Sequence, residues 1–223
     1  MKKGKLIVFE GADGSGKTTQ SKLLLKYLKG RKIACEYVSF PRYEDSLWGG
    51  MVRRFLRGEF GKLNEIDPYL ASILYAGDRM TAAPMLRRWL DSGKIVIANR
   101  YIGSNIGHMG AKLKTQNSKL KYIKWLEQLE YVENGIPKED LVIFLYVPIA
   151  VSKNLMKGRT LDIHERDFDY QERVLSVYGD LCRKKKNWLK VDCTWRGKIL
   201  KPEEIHKKVL EDLETRMILA RRK

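Results

Sequence analysis

Residues 11–20 read GADGSGKTTQ, directly behind the apolar run KLIVFE at 5–10. Gly11, Gly16, Lys17 and Thr18 fit the spacing G-x-x-x-x-G-K-[ST]. An apolar strand before such a loop and an amphipathic helix after it are the context in which the pattern binds phosphate. Glycines let the backbone amides of Gly11, Ala12, Asp13, Gly14, Ser15, Gly16, Lys17, Thr18 and Thr19 curl round an anion without side-chain clash. Lys17 is the fixed cation for the β- and γ-phosphates, and the Thr18 hydroxyl is a ligand for Mg²⁺. The stretch predicts binding of a nucleoside triphosphate, ATP or a relative.

Outward from the loop, β-branched apolar runs alternate with helical patterns. Strands are expected at 5–10, 33–40, 94–99, 141–147 and 187–192. Helices are expected at 21–30, 66–93, 118–135 and from 201 to the end. Asp67 reads as an N-cap with Pro68 in the first turn, and Pro84 as a kink. The nearly all-apolar LVIFLYV at 141–147 is a strand covered on both faces. The alternation predicts an α/β fold with a five-stranded parallel sheet flanked by helices. Ligands in such folds sit outside the carboxyl ends of the strands. Chemistry is therefore expected at 11–19, at FPRY (40–43), at NRY (99–101) and after 146.

With 223 residues, one domain is expected over 1–223. No run of about 18 apolar residues predicts a membrane span, and MKKGKLIVFEGADG lacks the apolar region of a signal peptide. Three scattered cysteines without a CxxC fit a reduced, cytoplasmic protein. A formal charge of +17 favours anionic partners, but no nucleic-acid-binding motif accompanies it. A GTPase is disfavoured by the absence of N-K-x-D, and a helicase or motor by length. A small-molecule kinase fits best.

FPRY (40–43), LYAGDR (74–79) and NRYIGSNIGH (99–108), taken with the phosphate loop, make the chain resemble the thymidylate kinase family from residue 5 to about 182. Arg42 follows the second strand, where a guanidinium can clamp a monophosphate. Tyr75 and Arg79 lie four apart on one helix face, a ring and a cation suited to a nucleobase. The resemblance implies the P-loop nucleoside-monophosphate kinase fold, ATP and Mg²⁺ as donor and cofactor, and dTMP as acceptor. It implies that Tyr75 stacks on the base, that Arg79 contacts the nucleotide and that Arg100 holds the acceptor phosphate. Phe40, Ser104, Asn105 and His108 then line the acceptor site, and Asp13 meets the acceptor sugar or the arginine beside it. It also implies a homodimer packed through helices from the middle of the chain.

Three residues depart from the family pattern: Asn99 stands for Asp, His108 for Tyr near the sugar, and Tyr146 for the Asp of D-V-P. The charge-dense 157–174 resembles the family's lid at Asp162, Glu165 and Arg166. A phosphoryl group in transfer spreads negative charge over its oxygens, which an arginine can stabilise. The loop position where some relatives carry that arginine is Gly14 here, leaving Arg159 and Arg166 as candidates. With Asn99 neutral, Asp13 and Glu165 are the carboxylates left for the metal's outer shell. VDCT (191–194) matches where the family holds adenine, and the five tryptophans read as packing. The expected activity is transfer of a phosphoryl group from ATP to dTMP. Another pyrimidine nucleotide or a deoxynucleoside as acceptor stays open, as does a non-enzymatic nucleic-acid-binding protein.

Overall fold

The computed structural model describes residues 3–62, 65–155 and 167–216. A parallel sheet runs in the order β2-β3-β1-β4-β5, with β1 at Lys5–Glu10, β2 at Cys35–Ser39, β3 at Ile95–Asn99, β4 at Leu141–Tyr146 and β5 at Trp188–Asp192. All five expected strands form, each within two residues of its expected ends. Alternation along each strand divides the core in two. Leu6, Val8, Val96, Ala98, Val142 and Phe144 face one side. They pack under α3 (Pro68–Asp91), α4 (Ile102–Gly110), α5 (Gln116–Glu127) and α7 (Phe168–Lys184). Ile7, Phe9, Ile97, Ile143 and Leu145 face the other, under α1 (Lys17–Gly30) and α8 (Pro202–Thr215).

α1 starts at Lys17, four residues before the expected Ser21. Its first turn is polar because it faces the phosphate loop rather than the core, so hydrophobic periodicity could not mark it. α3 begins as the sequence implies: Asp67 accepts from the amides of Tyr69 and Leu70, with Pro68 in the first turn. Pro84 lies inside α3, which remains one element to Asp91.

The helix expected over 118–135 is α5 followed by a π-helical turn, Gln128–Glu133. The wider turn carries Glu130 into the core, where it is fully buried. Unanticipated elements are α2 (Leu47–Leu56), α4, α6 (Ile149–Leu155), α7 and the hairpin β6–β7 (Thr194–Trp195, Lys198–Ile199). α4 escaped notice because its sequence, IGSNIGHMG, is glycine-rich; its helical state comes from tertiary contacts rather than propensity. Trp195 departs from the packing expectation: it is 66% exposed on the hairpin, with Arg196 over its ring. No helix among the described residues is long and apolar enough to cross a membrane.

Sheet register assembles the site. β1 lies between β3 and β4, with Phe9 opposite Asn99 and Glu10 opposite Phe144. β3 also pairs β2, with Ser39 opposite Asn99. The loops after β1, β2 and β3 therefore open at one edge, where β1 meets neighbours on both sides.

Candidate active site

The phosphate loop has the geometry its glycines allow. Gly11 has φ +154°, and a Cβ there would stand 2.7 Å from the Leu145 carbonyl oxygen. Gly16, with φ 85°, is the N-cap of α1 and supplies no side-chain cap. The first amides of α1 are thereby left to an anion. The Lys17 ammonium donates to the carbonyls of Gly11 at 2.9 Å and Ala12 at 2.8 Å. Lys17 also lies 3.9 Å from an Asp13 oxygen. Asp13, Gly14, Ser15, Gly16, Lys17, Thr18 and Thr19 line an open cleft of about 1400 Å³. Ile199, Leu200, Pro202 and Ile205 line it as well.

A second, smaller pocket of about 510 Å³ opens beside it. Asp13, Phe40, Tyr75, Arg79, Arg100, Ser104, Asn105 and His108 all line it, so the structure brings together every predicted acceptor residue but one. Arg42 is not among the lining residues, although its guanidinium lies 6.0 Å from the ring centroid of Phe40, which is one of them. Its Nε donates to Asp78 Oδ1 at 3.0 Å and its terminal nitrogen to the Asp78 carbonyl at 2.9 Å. Asp78 also accepts from the Arg42 amide and the Ser46 hydroxyl, so a buried acid ties the loop after β2 to α3. Tyr43, Pro41, Leu56 and Met109 complete the pocket. Tyr43 was quoted in FPRY without a role; its place beside Phe40 at a strand end was the available signal.

Asp13 and Arg100 line both spaces. The Arg100 guanidinium donates to Asp13 Oδ1 and, at 3.3 Å, to the Ser104 hydroxyl. Burial works against the Arg100 charge, but the Asp13 carboxylate outweighs it and holds the guanidinium above its usual pKa. Arg100 has φ 67°, unusual for a side-chain-bearing residue. Its amide donates to the Phe9 carbonyl at 2.9 Å, which helps to hold that conformation. Gln171 of α7 reaches the other Asp13 oxygen at 3.4 Å. Asn99 donates from Nδ2 to the hydroxyls of Thr18 at 3.2 Å and Ser39 at 2.9 Å. Its buried Oδ1 has no hydrogen-bond partner among the described residues.

Glu10, fully buried, is the principal residue that motif reading missed. It shares the parity of Leu6 and Val8 and so points toward α4 and α7. Its carboxylate accepts from the amides of Tyr101 at 2.8 Å and Ser104 at 2.9 Å, and from the Ser104 hydroxyl at 2.7 Å. The Tyr178 hydroxyl of α7 donates to it at 3.2 Å. Burial raises its carboxyl pKa, opposed by the Ser104 bond and the Arg100 charge. An acid at the end of an apolar strand, next to a phosphate loop, was a readable signal. His108 is also buried, and burial lowers its imidazole to about 4, with Asp13 opposing and Arg100 and Lys17 adding to the fall. It is neutral at neutral pH. Arg159, Arg166, Asp162 and Glu165 lie outside the described residues.

A phosphate loop on the central strand, joined through one acid–arginine pair to a smaller pocket at the same sheet edge, defines a P-loop nucleoside-monophosphate kinase. Comparison with known proteins narrows this. The thymidylate kinase family profile matches residues 9–208. A thymidylate kinase of Mycobacterium tuberculosis is 31% identical over 185 residues, covering 79% of this chain and 85% of that one. The human thymidylate kinase is 29% identical over 197 residues, covering 86% and 84%. In fold, the chain is similar to the solved thymidylate kinase of Candida albicans, with a TM-score of 0.77 at 23% identity over 96% and 93% of the two chains. The chain belongs to the thymidylate kinase family. It is a phosphotransferase that uses ATP.

Proposed function

We propose that the chain transfers the γ-phosphoryl group of ATP to the phosphate of dTMP, with ATP in the larger cleft and dTMP in the smaller pocket. The observation that supports this arrangement is that Asp13 and Arg100 line both spaces. An oxygen of the dTMP phosphate forms a bond to the γ-phosphorus as the bond from that phosphorus to the β-bridging oxygen breaks, giving dTDP and ADP. The nucleophilic oxygen is already anionic, so no protein base is required. The protein's part is positioning and charge. Lys17 and the α1 amides hold the donor phosphates. Arg100 holds the acceptor phosphate, oriented by Asp13. Tyr75 stacks on the base, Arg79, Ser104 and Asn105 border it, and His108 lies beside the sugar. Arg42 supports the loop after β2 through Asp78. Arg159 and Arg166 supply lid charge to the transferring group.

The residues present suit Mg²⁺. The Thr18 hydroxyl stands at the head of α1, and the buried Asn99 oxygen is left for a metal-bound water. Magnesium is commonly held by a few protein oxygens together with substrate phosphates. Thr18 would ligate the ion, with Asp13 and Glu165 as outer-shell carboxylates and the Asn99 oxygen as a further outer-shell acceptor. Held there, the ion would supply positive charge to offset the negative charge of the donor phosphates.

We read residues 1–223 as one domain acting in the cytoplasm; Cys35, Cys182 and Cys193 are free thiols. We also place a second copy of the chain against α2 and α3. Leu70, Ile73 and Met80 lie exposed along one side of α3, with Leu47 84% exposed on α2.

ADP release with dTMP, dUMP, UMP, dCMP and thymidine, each alone with ATP and Mg²⁺, tests the acceptor. Turnover is expected with dTMP above all others; preference for another acceptor would overturn it. A monomeric mass by light scattering on the same sample would remove the dimer.

A further inference from the structure

We infer that Glu130 is a positioning residue for recognition of the acceptor base, acting through Arg79. The inference rests on the reading above, in which Arg79 faces the base.

Arg79 lines the acceptor pocket yet is only 2% exposed. A guanidinium has five N–H donors in a rigid plane. Two of them, on Nε and a terminal nitrogen, converge on one oxygen of Glu130, the Nε contact at 2.9 Å. The other terminal nitrogen donates to the Tyr101 carbonyl at 3.3 Å. Five less three leaves two N–H groups without a partner among the described residues, one on each terminal nitrogen. We take these two to face the pocket that Arg79 lines.

Glu130 reaches this position from far away in sequence. The residues just after the π-helical turn dock on α3 at two further points. Asn134 Nδ2 donates to the Ala76 carbonyl at 3.5 Å, and Arg87 to the Gly135 carbonyl at 2.6 Å. The Ile136 amide closes on the Glu130 carbonyl at 3.0 Å. Glu130 is fully buried, and its second oxygen has no hydrogen-bond partner among the described residues. A one-sided pair of this kind turns the guanidinium instead of sharing all its donors. It leaves Arg79 a donor-only edge toward the base. Such an edge donates to a carbonyl and opposes an exocyclic amine.

Kinetics of Glu130→Gln, Arg79→Gln and the double variant, with dTMP and dCMP as acceptors, test this. Glu130→Gln is expected to raise KM for dTMP about tenfold, with kcat and KM for ATP changed less than about twofold. The preference for dTMP over dCMP should fall alongside. In the Arg79→Gln background, the added Glu130→Gln change should have no further effect, because the two act as a unit. If the folded Glu130→Gln enzyme keeps its dTMP KM and its preference, the inference fails. Additive effects in the double variant also overturn it. If Arg79→Gln leaves the dTMP KM unchanged, the placement of Arg79 at the base fails instead. Should Glu130→Gln not fold, two substitutions carry the same readouts: Glu130→Asp, which keeps the charge and shortens the reach, and the uncharged double variant compared with Arg79→Gln.

Discussion

The nucleotide cleft and the acceptor pocket meet at Asp13 and Arg100 but are made differently. The cleft is largely backbone: glycine-permitted curvature, the first amides of α1 without a side-chain cap, and a lysine held by two carbonyls of its own loop. The pocket is built from side chains whose positions are set by other buried side chains, namely Arg100 by Asp13, Arg79 by Glu130, and Ser104 by Glu10. A phosphate is much the same anion on any nucleotide, so backbone amides suffice. A base must be told from other bases, and that takes fixed donors and acceptors in a dry pocket. The sensitivity of the two regions to substitution should differ accordingly.

The largest expected effect is at their junction. Asp13→Ala leaves the Arg100 guanidinium without its carboxylate and frees it from the acceptor phosphate position. It should lower kcat/KM for dTMP by about 10²-fold, with KM for ATP nearly unchanged. Steady-state kinetics varying each substrate will show this, and unchanged acceptor kinetics would remove Asp13 from the mechanism.

Next comes the support of the pocket alone. Glu10→Gln replaces an acceptor of four hydrogen bonds with an amide that has one oxygen and turns its NH₂ toward donors. A loss of about 2–3 kcal/mol in unfolding free energy follows from leaving buried groups unpaired. Denaturant melts will measure it. If nucleotide binding in the cleft weakened as much as acceptor binding, the contrast between the regions would not hold.

The smallest effect is the pH response of His108. Its folded pKa is about 4 against an unfolded value near 6.5. The unfolded chain binds the extra proton first, so this contribution to stability is intact above the unfolded pKa. It is lost progressively as pH falls from about 6.5 toward 4. Between pH 7 and pH 5 the loss amounts to at most about 2 kcal/mol. His108→Asn should flatten that part of the stability profile, and an identical slope in both proteins would contradict the buried, neutral imidazole.

How much was legible varies by residue. The phosphate loop could be read whole because nine consecutive residues make it. Tyr75 and Arg79 were legible as a pair because helical spacing places them on one face, and both line the pocket. Arg42 was legible as a cation at a strand end but not as the partner of Asp78, which lies 36 positions away. Glu130 was hidden inside what read as a continuous helix. The π-helical turn that aims it inward has no hydrophobic period to betray it.

By itself, then, the sequence determined the strand–helix alternation, the phosphate loop and the motif positions that line both spaces. Each depends on backbone preference, side-chain period or short-range spacing, all local properties of the chain. Tertiary structure decided which polar group each of those residues would face. The strand order set Asn99 opposite Phe9 and brought Arg100 over Asp13. It also let α7 deliver Gln171 and Tyr178 to the phosphate-loop region across more than 150 positions. A buried charge takes whichever partner packing places within reach, because leaving it unpaired is too costly. That choice belongs to the assembled sheet and its helices.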